Sequence, residues 1–430
     1  VAALAALSLT VLVPVAPAGA ATRRADIPCP KPNVKPPAGR PPRPVPPKDD
    51  PVLRAVGGDD LDTNGLIIPA GAPAPPAITA TSWVVADLDT GEVLGGCGPH
   101  VYGTPASVQK LLLVATAMPK LDPKSVTTIT QGDVTIDPGS SAVGLVKGGQ
   151  YSVSTLWLGL LLNSGNDAAN TLARLAGGTG GLPQTVADMN AEAQKLGAYE
   201  THAVTPSGLD GPGQFTSAYD LALIARVDFN QPDFVKYALT RSAEMPAQKR
   251  LKKGGFQIQN ENKLIFKYPG ALGGKTGFTT LARHSYVGAA QRNGRRLVAT
   301  LLGAEASPLR GYDQGAALLN WGFSLPKDAT VGQLVAPGSP DPKGTPESAV
   351  VPPSNSNKVV SPAAARPASH STRLISLAAA AIVAVILAGT PLLLLASQRR
   401  RRRRVRRKPS TQPPYDRFAP AEEKADHTAS

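Results

Sequence analysis

Three short patterns in this chain bring together side chains able to carry out nucleophilic chemistry. Ser107-Val108-Gln109-Lys110 places a hydroxyl three residues ahead of an amine, and Ser164-Gly165-Asn166 places a hydroxyl two ahead of an amide. Lys275-Thr276-Gly277 sets a cation and a hydroxyl before a residue with no side chain. A serine hydroxyl is a weak nucleophile until a base takes its proton. Residues i and i+3 meet on one helix face, so Lys110 can be that base if burial and a second cation, Lys275, hold its amine neutral. His100, His202, His284, His370 and His427 raise the rival of a Ser-His-Asp triad, but no Gly-x-Ser-x-Gly elbow accompanies them.

Each pattern is weak alone. Ser-x-x-Lys recurs at Ser324–Lys327, where Pro326 fits a helical turn poorly and no helical pattern follows. Ser164 and Asn166 could simply cap a helix beginning near Asp167. Lys275-Thr276-Gly277 could be a solvated strand edge, although Gly273-Gly274 before it suits the close backbone approach found at clefts. The signal lies in having all three, in this order, each in a fitting local setting.

Those settings follow from the surrounding pattern. Pro105 announces a helix from about Ala106 through SVQKLLLVATAM to Met118. Ser107 and Lys110 then share its first turn, where the helix dipole favours negative charge developing at Ser107. Before it, SWVVADLDTGEVLGG at 82–96 reads as a β-hairpin turning at Asp89-Thr90-Gly91. Helical patterns follow at 152–163, 167–176 and 183–196, separated by Gly-rich breaks. HSYVGAAQ and RRLVATLLGA then flank Asn293-Gly294, a strong hairpin signal, and a closing helix covers 313–321. Strands at both ends of the core with helices inserted between them imply an α/β architecture rather than alternating βαβ units.

Composition bounds the rest. The 430 residues include 42 Gly and 43 Pro, and the Pro crowds 28–76 and 326–367, leaving roughly 245 residues able to bury a sizeable core. An apolar content of 42% and a mean hydropathy of −0.09 exclude a multi-span membrane protein and a wholly disordered chain. Two Cys exclude a disulfide-stapled scaffold and a Cys-based zinc cluster. Nine positive charges lie between Arg399 and Lys408, so the net +14 is mostly a property of the tail. Such a run can attract nucleic acid, but it follows residues 374–396, an uncharged stretch of about 34 Å as a helix, which reads as a transmembrane span with the tail on the cytoplasmic side. No nucleic-acid partner is therefore expected. Residues 1–20 read as a signal peptide ending in Ala18-Gly19-Ala20.

The expected organisation is thus signal peptide 1–20, Pro-rich linker 21–76, catalytic domain 77–325, Pro/Ser/Ala-rich linker 326–373, transmembrane helix 374–396 and basic tail 397–430. The core is expected at the membrane, outside the cytoplasm, where Cys29 and Cys97 could pair; the sequence leaves open whether they meet.

In their order and setting, the three patterns resemble those of the penicillin-recognising serine enzymes. They are most similar to the low-molecular-mass penicillin-binding proteins, the serine D-alanyl-D-alanine carboxypeptidases. TPSGLDGPGQFTSAYDLALIAR at 205–226 and ENKLIFKYPGALGGKTGFT at 261–279 extend the resemblance across roughly 80–323. It implies a β-lactamase/transpeptidase-like fold: an antiparallel sheet from both chain ends with an inserted all-α subdomain. It also implies a peptidoglycan stem peptide ending in D-Ala-D-Ala as substrate, β-lactams as inhibitors, and no metal or cofactor. Ser107 would attack the carbonyl of the penultimate D-Ala, Lys110 would accept its proton, and Ser164 would relay a proton to the leaving D-Ala. Asn166 would bond the substrate amide, while Lys275 and Thr276 would hold the terminal carboxylate, with Gly277 completing their motif. The backbone N–H groups of Ser107 and Phe278 would form the oxyanion hole. Arg310 in SPLRGYD is either a second carboxylate anchor or a solvated surface residue. A β-lactamase would share the acylating residues but need a deacylating Glu, for which Glu192 and Glu200 are the first candidates. A D,D-endopeptidase and a non-catalytic penicillin sensor are the remaining alternatives.

Overall fold

The computed structural model describes residues 26–35, 39 and 41–343. A helical turn α1 (Pro51–Arg54) and a short strand β1 (Leu66–Ile67) lead into β2 (Ser82–Asp87) and β3 (Glu92–Cys97). A 3-10 turn at Ala106–Gln109 opens α2 (Lys110–Ala117), followed by β4 (Val126–Thr128), α3 (Gln131–Val134) and β5 (Gln150–Ser152). Then come α4 (Val153–Leu162), α5 (Asn166–Ala176), α6 (Gly181–Lys195), α7 (Ala218–Phe229) and α8 (Pro232–Leu239). The chain continues through β6 (Ser242–Met245), β7 (Phe256–Gln259), α9 (Leu264–Lys267), β8 (Ala271–Thr279), β9 (Arg283–Arg292) and β10 (Arg295–Ala304), and closes with α10 (Gly311–Ser324) and β11 (Gly332–Gln333).

One seven-stranded sheet runs β1-β3-β2-β10-β9-β8, with β11 also pairing β3; every pairing is antiparallel. Strand alternation divides its side chains between two cores. Trp83 and Val85 face α10, packing with Leu318, Leu319 and Trp321, while Val84 and Ala86 face the helical side with Leu111, Leu221 and Ile224. Every residue of α2 is buried, as an apolar run with no polar face requires. The β9–β10 hairpin turns at Asn293 (φ 50°) and Gly294 (φ 79°), the left-handed pair that matches strand twist.

The α/β architecture expected from the sequence is therefore present, with two corrections. The insert between β3 and β8 is not all-α: β4–β5 and β6–β7 form two-stranded antiparallel ribbons inside it, with strands of only three or four residues that give too short a run to mark them in the sequence. Nor do the Pro-rich flanks behave as spacers over their described parts. Leu53, Val56 and Leu61 are buried, β1 and β11 pair along β3, and Leu334 is 1% exposed. Trp321 donates its indole N–H to Pro73 O at 2.8 Å. Prolines kept these segments from a regular pattern, but an open β3 edge and a large buried Trp still needed covering. Cys29 and Cys97 form a disulfide with Cα atoms 5.9 Å apart, tying the first described residues to β3.

Among the described residues no helix is long and apolar enough to cross a membrane. The expected signal peptide, transmembrane span and basic tail lie outside the described residues.

Candidate active site

The helix carrying Ser107 starts more tightly than its sequence implies. Its first turn is 3-10, in which residues i and i+3 eclipse. Lys110 Nζ consequently donates to Ser107 Oγ at 2.9 Å. It also donates to Asn166 Oδ1 at 2.8 Å and to Ser207 O at 2.9 Å. Those acceptors fix the amine in place without supplying a countercharge. Lys110 is fully buried, and desolvation, reinforced by the Lys275 charge, pulls its pKa well below the ordinary lysine value. Once it gives up a proton, the amine keeps two N–H donors for Asn166 and Ser207 and turns a lone pair to the Ser107 hydroxyl.

The Ser-x-Asn pattern does not cap a helix through its side chains. Gly165 is the N-cap of α5 and no side-chain capping bond forms; the Asn166 amide oxygen is committed to Lys110. Ser164 holds a left-handed backbone (φ 63°), uncommon for a residue with a Cβ, and its buried Oγ has no hydrogen-bond partner among the described residues. A buried orphan hydroxyl facing a cleft is poised for a ligand's polar group. The preceding loop is pinned by Asp167, whose carboxylate accepts from the N–H groups of Val143, Gly144 and Leu145 at 2.8, 2.9 and 2.9 Å. A Cβ on Gly165 would meet Val143 Cγ2 at 2.2 Å, which is why this position has no side chain.

The third pattern lies on β8, at the free edge of the sheet. Lys275 is 2% exposed and donates to Thr276 O at 2.7 Å. Burial lowers its pKa to about 8, against an opposing pull from Glu261. A Cβ at Gly277 would lie 2.3 Å from Ser285 Oγ and 2.9 Å from Ser107 N, so only glycine lets β8 pass this close to the nucleophile turn. Ser285 in turn donates to Pro105 O at 2.6 Å, bracing that turn against β9.

Ser107, Ser164, Asn166, Thr276, Gly277, Phe278 and Arg310 all line one cleft of about 500 Å³, with Lys110 and Lys275 buried behind it. The structure thus places Arg310 on the wall of the cleft, at its exposed rim and within electrostatic reach of His284. Phe278 is 52% exposed and its ring centroid lies 4.7 Å from that of His284. Ser324–Lys327 falls at the far end of α10 and does not line the cleft. Neither Glu192 nor Glu200 lines it: Glu192 pairs with Lys195 on α6, and Glu200 is buried against His100 at 2.9 Å. Sequence reasoning missed Glu261, the one carboxylate among the described residues lining the cleft, and the Ser207 carbonyl. Both lie in the two longer stretches quoted above, but nothing in their own spacing marks them.

Comparison with known proteins agrees with this geometry. The family described as D-alanyl-D-alanine carboxypeptidase matches residues 70–306. The chain is 45% identical over 271 residues to D-alanyl-D-alanine carboxypeptidase DacB2 of Mycobacterium tuberculosis, covering 62% of this chain and 90% of that protein. It is 37% identical to DacD of Salmonella typhimurium, of which it spans 64%. Its fold is similar to a crystal structure of D-alanyl-D-alanine carboxypeptidase from M. tuberculosis (TM-score 0.58, 43% identity, 62% of this chain and 99% of that one). It is also similar to the Streptomyces K15 DD-transpeptidase (TM-score 0.56, 25% identity, 59% of this chain and 100% of that one). With more than half of its length matched and the three patterns converging on one cleft, the chain belongs to the D-alanyl-D-alanine carboxypeptidase family and is a serine hydrolase.

Proposed function

We propose that the cleft removes the terminal D-alanine from peptidoglycan stem peptides through a Ser107 acyl-enzyme, and that penicillins acylate the same hydroxyl. The observation that carries this reading is the 2.9 Å contact between Ser107 Oγ and the fully buried Lys110 amine, whose pKa burial and Lys275 pull well below the ordinary value. Lys110 takes the hydroxyl proton as Ser107 Oγ attacks the carbonyl of the penultimate D-Ala. The Ser107 and Phe278 backbone N–H groups face the oxyanion. Ser164 passes a proton from Lys110 to the leaving amine, and the C–N bond breaks. Thr276, Lys275 and Arg310 hold the terminal carboxylate, and Asn166 orients both Lys110 and the substrate amide. Water then attacks the ester carbonyl as Lys110 takes its proton, the acyl C–Oγ bond breaks, and that proton passes to Ser107 Oγ as the shortened stem leaves with a free carboxyl group.

The chain is further read as membrane-anchored, with this domain outside the cytoplasm. The uncharged stretch 374–396, the basic run after it and the Cys29–Cys97 disulfide support that placement.

One experiment addresses both. Cells producing the full chain are treated with benzylpenicillin, fractionated, and the protein's intact mass is followed with time beside Ser107→Ala. The expected result is a long-lived adduct, found in the membrane pellet and dependent on Ser107. An adduct that vanishes while drug is consumed means a β-lactamase; no adduct sinks the acylation mechanism; adduct in the soluble fraction overturns the anchoring.

A further inference from the structure

The helical side of the cleft carries a feature the reaction does not use. Between β6 and β7 the chain reads Gln248-Lys249-Arg250-Leu251-Lys252-Lys253, four cations in five residues after the glutamine. All four are exposed, Lys147 stands exposed on the adjacent loop, and none of the five forms an ion pair with a described residue. Like charges gathered this way repel, and a bound anion relieves them. The one carboxylate on the hairpin strands, Glu244, already accepts from Gln257 Nε2 at 3.3 Å.

The tip is built rather than loose. Gln248 and Lys253 exchange backbone bonds at 2.9 and 3.2 Å, and Lys252 closes the turn in the left-handed region at φ 53°. Gln248 grips β5 with its amide, accepting from Gln150 N at 2.8 Å and donating to Gln150 O at 2.9 Å. The hairpin also borders the cleft. Phe256 and Leu251 lie against Gly144 and Gly148, in the loop whose Gly139, Ser140 and Ser141 line the cleft. At its other end β7 runs through Asn260 into Glu261 on the cleft wall.

We propose that this basic hairpin is a docking surface for the acidic glycan–peptide polymer that carries the stem being trimmed. The proposal rests on the carboxypeptidase reading and adds a second contact to it. A polymer whose stems end in carboxylates brings many negative charges near the cleft at once, whereas a free peptide brings one. Charge complementarity on a hairpin packed against the cleft-lining loop favours this occupant over an anionic lipid surface, because one polymer supplies both the stem and the neighbouring charges. The two half-exposed apolar residues, Leu251 and Phe256 (39% and 40%), offer a face for the sugar rings between those charges.

The test compares D-Ala release by the full chain from uncrosslinked glycan strands bearing complete stems and from a blocked tripeptide ending in D-Ala-D-Ala. The variant carries Lys249→Gln, Arg250→Gln, Lys252→Gln and Lys253→Gln. Its kcat/KM on strands should fall by roughly tenfold with the tripeptide rate unchanged, and salt at about 0.5 M should lower wild-type activity on strands to the same level. The salt series alone decides the question if the variant misfolds: equal salt dependence on both substrates overturns the proposal. An unchanged strand rate in a folded variant overturns it too, as does loss of binding to phosphatidylglycerol vesicles with strand activity intact, which would assign the hairpin to the membrane. No D-Ala release by wild type from either substrate would instead count against the carboxypeptidase reading on which the proposal stands.

Discussion

Lys110 works because of what its three acceptors lack. A serine hydroxyl, an asparagine amide and a backbone carbonyl satisfy the amine's hydrogens without a negative charge, so burial wins and the proton is held weakly. The remaining influences are opposed: Lys275 lowers the Lys110 pKa, whereas Glu261 raises it and that of Lys275. Acylation requires neutral Lys110, so its rate rises as pH passes upward through that pKa. Glu261→Gln should therefore move the acidic limb of the acylation profile to lower pH, and Lys275→Gln should move it to higher pH. Stopped-flow acylation of the two variants across pH reads both shifts, and a common direction would refute this electrostatic account.

At the scale of elements, the site is a meeting of three pieces that each bring one pattern. The 3-10 turn before α2 eclipses Ser107 over Lys110, the start of α5 supplies Asn166, and the β8 edge closes over them at Gly277. The loop at 139–145 is clamped to α5 through Asp167, with Gly165 as the point of closest approach. Gly165→Ala would push its new methyl into Val143, and Gly165→Asp would push further. Each should cost about 1–3 kcal/mol of stability and slow acylation by displacing that loop, as urea melts and acylation rates will show. A Gly165→Ala protein matching wild type in both would mean the loop yields freely.

At the scale of the molecule, the Pro-rich lead segment is part of the fold. Buried His100 joins its two ends of chain: one ring nitrogen meets Val56 O at 3.1 Å and the other meets Glu200 at 2.9 Å. Burial lowers the His100 pKa to about 4 and raises that of Glu200 well above the usual carboxylate value. Asp220 beside them is pushed up to about 8 by the same burial and by Glu200. Arg54, with Asp49 and Asp62, anchors α1 next to this cluster. The Cys29–Cys97 bond closes the segment over β3, so Cys29→Ser should lose about 2–4 kcal/mol in denaturant melts while penicillin still acylates Ser107. Equal stability of the variant and wild type would show that noncovalent packing alone holds the segment.

Local chemistry was legible in the sequence because it depends on spacings of two or three residues. Ser107 with Lys110, Ser164 with Asn166, the β9–β10 hairpin at Asn293-Gly294 and the helices from 153 to 195 could all be read from near neighbours, and the structure places them accordingly. What only the tertiary structure decided depends on contacts far apart in the chain. Glu261 reaches the cleft because its backbone N–H bonds Leu162 O, 99 residues earlier, at 2.8 Å. Arg310 reaches it because the chain after β10 turns back past His284 toward α10. Cys29 pairs with a residue 68 positions on, and β1, two residues long, has no period to read yet covers a sheet edge. Periodicity reports which face of an element is buried, not which distant element buries it. That second choice is made by packing, and here it assembles three separate patterns into one site.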